Sequence, residues 1–293
     1  MNEPKSDTTN NTILSIEDVT VSFSGFKALK SLNFAMDQGE LRVVIGPNGA
    51  GKTTLLDVIT GKTRPTIGRV RFKGLDITRL PEQVIAHRGI GRKFQTPNVF
   101  KSLTVLENLS LAVKSHRGVM LSLFRPFSQV SLERVYEILE LTGLTHKANY
   151  PAGILAHGEK QWLELGMVMA QDPELLLIDE PVAGMTPRES ERTGELLLAM
   201  ARKHALLVIE HDMTFVRQIA SKVTVLDDGM TLCEGTVEEV QNDARVIEVY
   251  LGHDREEAAP VRSDTRHNGS EQVTSRRAVS DVASATPVAG GSV

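Results

Sequence analysis

Gly46-Pro47-Asn48-Gly49-Ala50-Gly51-Lys52-Thr53-Thr54 constrains this chain more than any other stretch. Before it, Leu41-Arg42-Val43-Val44-Ile45 is a short apolar run rich in β-branched residues, as a buried strand requires. After it, Leu55-Leu56-Asp57-Val58-Ile59 fits the first turns of a helix. In a strand–loop–helix setting, a glycine-rich loop can turn successive backbone N–H groups inward around phosphates, and the helix N-terminus adds partial positive charge. Lys52 is spaced to reach the β- and γ-phosphates of a nucleoside triphosphate, and the Thr53 hydroxyl to ligate Mg²⁺.

The other half of such a site lies far downstream. Glu174-Leu175-Leu176-Leu177-Ile178-Asp179-Glu180-Pro181 reads as a buried strand ending in two carboxylates. Asp179 is placed to hold Mg²⁺ through water. Glu180, one residue on, points differently and is placed to polarise a water attacking the γ-phosphate. Between the halves, Gln95 follows the apparent strand end Gly91-Arg92-Lys93-Phe94 and is in reach of both Mg²⁺ and water. Leu155-Ala156-His157-Gly158-Glu159-Lys160-Gln161 precedes a helical run over 162–170, and His211 follows the strand-like Leu206-Leu207-Val208-Ile209-Glu210.

Phosphate loop, glutamine loop, signature, Asp-Glu pair and switch histidine, in that order, resemble the ATP-binding cassette ATPases over about residues 13–252. The resemblance implies an α/β P-loop cassette with a mainly parallel core sheet, an antiparallel β part and a helical subdomain. It implies ATP hydrolysis with Mg²⁺. Phe23 would stack on adenine, and Lys52, Thr53, Gln95, Asp179, Glu180 and His211 would serve the nucleotide bound by this chain. In such ATPases two cassettes dimerise head to tail, so Ala156, His157, Gly158 and Glu159 would cover the partner's ATP. Gly158 would permit close backbone approach there, with the helix N-terminus behind it.

Two positions depart from the family pattern. Ala156 stands where a serine is usual, and Thr186, in Val182-Ala183-Gly184-Met185-Thr186, stands where many cassettes have Asp. Neither change removes the machinery for the chain's own nucleotide. The runs Phe94-Gln95-Thr96-Pro97-Asn98-Val99-Phe100 and Leu103-Thr104-Val105-Leu106-Glu107-Asn108-Leu109 resemble the ATPases of branched-chain amino-acid and urea importers. The signature region, 181–186 and 246–252 resemble most the urea-transport ATPases of the first type. The expected function is therefore the motor subunit of an importer, for urea, with branched-chain amino acids as the alternative solute and a regulatory low-turnover subunit as another. The implied partners are a second cassette, transmembrane permease subunits contacted through Pro97, Val99 and Phe100, and indirectly an extracytoplasmic solute-binding protein.

Composition agrees with that division of labour. No apolar stretch approaches the ~20 residues that span a bilayer. The polar start Met1-Asn2-Glu3-Pro4-Lys5-Ser6-Asp7 lacks the apolar core of a secretory signal. The expected location is peripheral, on the cytoplasmic face of the cell membrane. The single cysteine, Cys233, is expected buried and inert, and a net charge of −4 without a basic, aromatic-rich patch argues against nucleic acid. Soluble cassettes that remodel ribosomes or DNA usually join two cassettes or insert a coiled coil, and this chain shows neither. Residues 1–12 and 253–293 lack apolar patterning and are expected to be disordered flanks of a cassette over 13–252, with the helical subdomain at about 95–171. Thr104 and Glu107 have capping-box spacing, so a helix is expected to start there.

Overall fold

The computed structural model describes residues 11–93, 98–113 and 129–249. Gln95, with Phe94, Thr96 and Pro97, lies outside the described residues, as do the N-terminal ten residues and the chain beyond Val249.

The three apolar runs read as strands, β3 (Leu41–Ile45), β7 (Leu175–Asp179) and β8 (Ala205–Ile209), join β6 (Ile90–Lys93), β9 (Lys222–Asp227) and β10 (Met230–Gly235) in one six-stranded sheet. The order is β10-β9-β3-β8-β7-β6; all neighbours run parallel except β10 against β9. Strands covered on both faces read as continuous apolar runs, and here the period of two divides each run between two cores. Val44, Leu175, Leu177, Leu207 and Ile209 face one core, together with Leu55, Leu56 and Ile59 of helix α1 (Lys52–Ile59). Val43, Ile45, Leu176, Ile178, Leu206 and Val208 face the other, against helices α6 (Pro187–Ala201) and α7 (Met213–Ile219).

A second, antiparallel sheet, β2-β1-β4-β5, is built from β1 (Thr12–Phe23), β2 (Phe26–Asp37), β4 (Ile67–Phe72) and β5 (Leu75–Asp76). Leu14, Ile16, Leu32, Phe34 and Phe72 of this sheet pack onto the α1 side of the parallel one. The short helix α2 (Glu82–His87) precedes β6.

Helices α3 (Val105–Ala112), α4 (Gln129–Thr142) and α5 (His157–Ala170) enclose a third core of Val105, Leu109, Val135, Ile138, Leu139 and Leu163. The capping box at the start of α3 forms: Thr104 Oγ1 accepts the Glu107 N–H at 3.1 Å, and the Glu107 carboxylate accepts the Thr104 N–H at 2.7 Å. Helix α5 is the seam between lobes. Leu165, Val168 and Met169 face the sheet core, whereas Leu163 and Ala170 face the helical one. The Trp162 indole N–H reaches Thr193 Oγ1 of α6 at 2.9 Å. The chain ends its described part beyond α8 (Val237–Asn242).

Two expectations need correction. Cys233, expected buried, is only half-buried in β10, although burial still raises its thiol pKa. Val99, expected as a surface contact for a membrane partner, packs against the helical core, while Phe100 beside it is exposed.

Candidate functional site

Parallel register places the chemistry. Val44 of β3 and Asp179 of β7 both pair with Ile209 of β8, so the phosphate loop, the Asp-Glu pair and the Glu210-His211 turn leave the sheet side by side at its carboxyl edge. Ligands of open α/β sheets bind at this edge. Strand β6 reaches the same edge, Lys93 pairing with Ile178, and Gln95 comes two residues later, outside the described residues.

The loop needs glycine at two of its positions for separate reasons. Gly46 has φ 154°, and a Cβ there would lie 2.2 Å from the Leu226 carbonyl oxygen. Gly51, at the N-cap of α1, has φ 97°, and its Cβ would lie 2.6 Å from the Ala28 carbonyl oxygen. Lys52 folds back on the loop, its Nζ donating to the Gly46 and Pro47 carbonyls at 2.7 and 2.9 Å. Burial lowers its pKa, while the charges of Glu180 and Asp179 oppose that fall.

Asn48, Gly49, Ala50, Gly51, Lys52, Thr53 and Thr54 wall a cleft with Glu180, Ile209 and Ala28. Phe23 stands at its rim, and opposite it in the β1–β2 register stands Phe26, which sequence reading had passed over. Both rings are exposed, 50% and 63%, so neither is a core residue. A cross-strand pair flanking a tight turn puts both side chains on one face. The signal for Phe26 was available in that spacing, Phe23-Ser24-Gly25-Phe26.

One residue before Glu180, burial raises the Asp179 pKa, and Arg92, whose Nη2 is 3.6 Å from Asp179 Oδ2, pulls it down. The same guanidinium donates from Nη1 to Asp57 Oδ1 of α1 at 2.5 Å, so Arg92 ties the loop's helix to the carboxylate strand. Glu180 sits at φ 44°, a left-handed backbone that non-glycine residues seldom adopt, its N–H donating to the Ile209 carbonyl at 3.0 Å. His211, 66% exposed, has Nδ1 3.8 Å from Glu180 Oε1. Beneath it lies Glu210, buried, whose carboxylate accepts the N–H groups of His211, Asp212 and Val182 at 3.0, 3.3 and 3.4 Å. Burial raises its pKa against those bonds. Glu210 thus holds the histidine turn and the loop after Glu180 in one arrangement. Sequence reading treated it only as the end of a strand.

The signature opens α5. Ala156 is the N-cap, and the Glu159 carboxylate accepts its N–H at 3.0 Å, but a methyl group returns no bond to the helix. Glu159 also pairs with Lys147, so its carboxylate is engaged within the chain. His157 Nε2 lies 3.3 Å from the Ala183 carbonyl, joining the signature to the loop after the Asp-Glu pair. A Cβ on Gly158 would meet the Glu189 carboxylate at 2.6 Å. Thr186 caps α6: its Oγ1 accepts the Glu189 N–H at 3.4 Å and donates to Glu189 Oε2 at 2.8 Å. That local job explains a hydroxyl at this position without reference to another chain.

A glycine loop cradling a helix start, with carboxylates presented one strand away across β8, defines a P-loop nucleoside-triphosphate hydrolase. The sequence matches the ABC transporter family over residues 29–183, and over 231–256 the branched-chain amino acid ATP-binding cassette transporter family. The chain belongs to the ABC transporter ATP-binding proteins and is an ATPase of that family. It is 35% identical to the high-affinity branched-chain amino acid transport ATP-binding protein BraF of Pseudomonas aeruginosa, covering 82% of this chain and 98% of BraF. It is 36% identical to LivG of Escherichia coli K12, a protein of the same description, over 82% of this chain and 98% of LivG. Among solved structures it resembles MJ1267, an ATP-binding cassette of an ABC transporter in its ADP conformation, with TM-score 0.73, 33% identity, and 82% and 99% coverage. BraF and LivG are named for branched-chain amino acids, which favours the alternative solute over urea.

Proposed function

We propose that this chain is the ATP-hydrolysing subunit of an importer for branched-chain amino acids. The observation that carries the solute class is the match of residues 231–256 to the branched-chain cassette family, together with relatives that align over nearly their whole length. No residue of the cassette need touch the solute; selection belongs to other chains.

The chemistry follows from the cleft. Lys52 and the loop amides bind the phosphates, Phe23 and Phe26 hold the base, and Glu180 takes the proton of the attacking water, with His211 beside it. Gln95 joins this set by the family resemblance. Among the described residues no group of three His, Cys, Asp or Glu side chains could hold a metal. One hydroxyl and one carboxylate, Thr53 and Asp179, are instead the donor set suited to Mg²⁺ arriving with phosphates, which supply the remaining oxygens. Bound Mg²⁺ would neutralise charge on the β- and γ-phosphates.

In the head-to-tail dimer we propose, Ala156, His157, Gly158 and Glu159 of one cassette face the ATP of the other. The N-terminus of α5 supplies the positive end, and no hydroxyl is added by residue 156. Among the described residues no helix is long and apolar enough to cross a membrane. By its likeness to transporter ATP-binding subunits, the chain would sit peripherally at the cytoplasmic face, docked to permease subunits. Phe100 and Ile154, exposed at 55% and 70% on neighbouring backbone, are two apolar groups placed for that contact.

Both aromatic rings should matter. Phe23→Ala and Phe26→Ala are each expected to weaken ATP binding by about 1–2 kcal/mol, the worth of one base–aromatic stack. Binding of tripolyphosphate, which has no base, should stay at the parental value in both variants. Calorimetric titration with the two ligands makes the comparison, and an equal loss for both would remove the rings from base recognition.

The solute assignment is tested in vesicles carrying the chain with the permease and solute-binding proteins it assembles with. Leucine should stimulate ATP hydrolysis and urea should not. Stimulation by urea alone would overturn it.

A further inference from the structure

Helix α5 carries a buried carboxylate that the nucleotide chemistry above does not use. Glu164, 4% exposed, accepts the Asn98 N–H at Oε1 over 3.2 Å and has Oε2 3.8 Å from Lys93 Nζ. Lys93 is the last residue of β6 and is fully buried. One side chain of the signature helix therefore holds the chain on both sides of residues 94–97, the stretch that carries Gln95. Burying an ion pair is costly and a hydrophobic pair of similar volume often serves stability as well, so such a pair is better understood as fixing a geometry. Its neighbours extend the same constraint. Asn108 of α3, 0% exposed, accepts the Phe100 N–H at 2.8 Å and donates to the Phe100 carbonyl at 3.1 Å.

We propose that Glu164 is a positioning residue that binds the signature helix to both flanks of residues 94–97, so that the helical lobe and the β6 edge of the nucleotide site keep one register. The kinetic part of this inference rests on the ATPase reading; the structural part does not. Lys93 alone could be balanced by any nearby carboxylate, and the Asn98 N–H alone by any acceptor. That one residue does both, from the helix that begins at His157, is the observation that carries the inference.

The test uses the full chain and three variants. Glu164→Ala removes both links. Glu164→Gln keeps an acceptor for Asn98 and loses the charge, and Glu164→Gln with Lys93→Met also removes the buried cation. Amide hydrogen exchange without nucleotide is read over residues 93–100 and, as internal control, over α1. In Glu164→Ala, exchange over 93–100 should rise about 10-fold or more, the effect of losing one buried hydrogen bond, while α1 keeps the parental rate. With nucleotide, kcat should fall about 5-fold or more with ATP affinity unchanged, as expected when a reacting geometry loosens. The double variant should return the exchange reading towards the parent, which also covers the case in which Glu164→Ala fails to fold; its kcat is not compared, because Lys93 also faces Asp179 and Glu210. Parental exchange over 93–100 in Glu164→Ala, or acceleration of α1 to the same degree, would overturn the proposal. A parental chain that neither binds nor hydrolyses ATP would instead sink the ATPase reading, and the exchange comparison would still decide the role of Glu164.

Discussion

Glu180→Gln is expected to bind ATP as the parent does and to release phosphate about 10²–10⁴-fold more slowly, the range for losing a positioned general base. The substitution is nearly isosteric. The left-handed backbone at φ 44° and the N–H bond to Ile209 do not depend on the carboxylate, so the turn that presents residue 180 should persist. What disappears is the proton acceptor and the negative partner 3.8 Å from His211 Nδ1. Nucleotide retention on a filter and phosphate release in the same sample separate the two effects. Turnover at the parental rate would mean that another group takes the proton.

Lys52→Ala should fail earlier in the cycle. In the structure the ammonium is held by the Gly46 and Pro47 carbonyls of its own loop, and burial already works against its charge. Phosphates offer it a stronger partner than neutral carbonyls do. Losing a charge-assisted bond of about 1.5–3 kcal/mol should weaken ATP binding roughly 10- to 150-fold, with turnover falling further because the γ-phosphate loses its clamp. The loop itself should survive, since its conformation is set by glycines at 46 and 51 rather than by the lysine. Equilibrium dialysis with ATP reads the affinity; binding at parental strength would place Lys52 outside the phosphate contacts.

The local signals in the chain were enough to read its architecture. Apolar runs at 41–45, 175–179 and 205–209 with turn glycines between them are buried parallel strands, and the Thr104/Glu107 spacing starts a helix, because these features are decided by neighbours in sequence. The family resemblance implied that the glycine loop, Asp179-Glu180 and His211 meet, and the parallel order β3-β8-β7 brings them to one sheet edge. What sequence reading missed depends on contacts between distant segments. Glu210 looks like the end of an apolar strand, yet its carboxylate organises three backbone N–H groups from two loops. Arg92 looks like an ordinary charge until α1 and β7 close around it. Phe26 needed only the hairpin register, whereas the Lys93–Glu164 link joins residues 71 positions apart and has no periodic signature. Subfamily resemblance was the weakest guide: the motifs near the site suggested urea, and the wider likeness points to branched-chain amino acids.

In the dimer proposed above, each nucleotide site is completed by a second cassette. Phosphate release at saturating ATP and Mg²⁺ should be measured as a function of chain concentration, alone and with a second importer cassette from the same cell. The rate per chain should climb with the concentration of whichever partner completes the site, and level off when every cassette is paired. A rate per chain that stays constant across the whole dilution series, with and without the second cassette, would contradict that dimer.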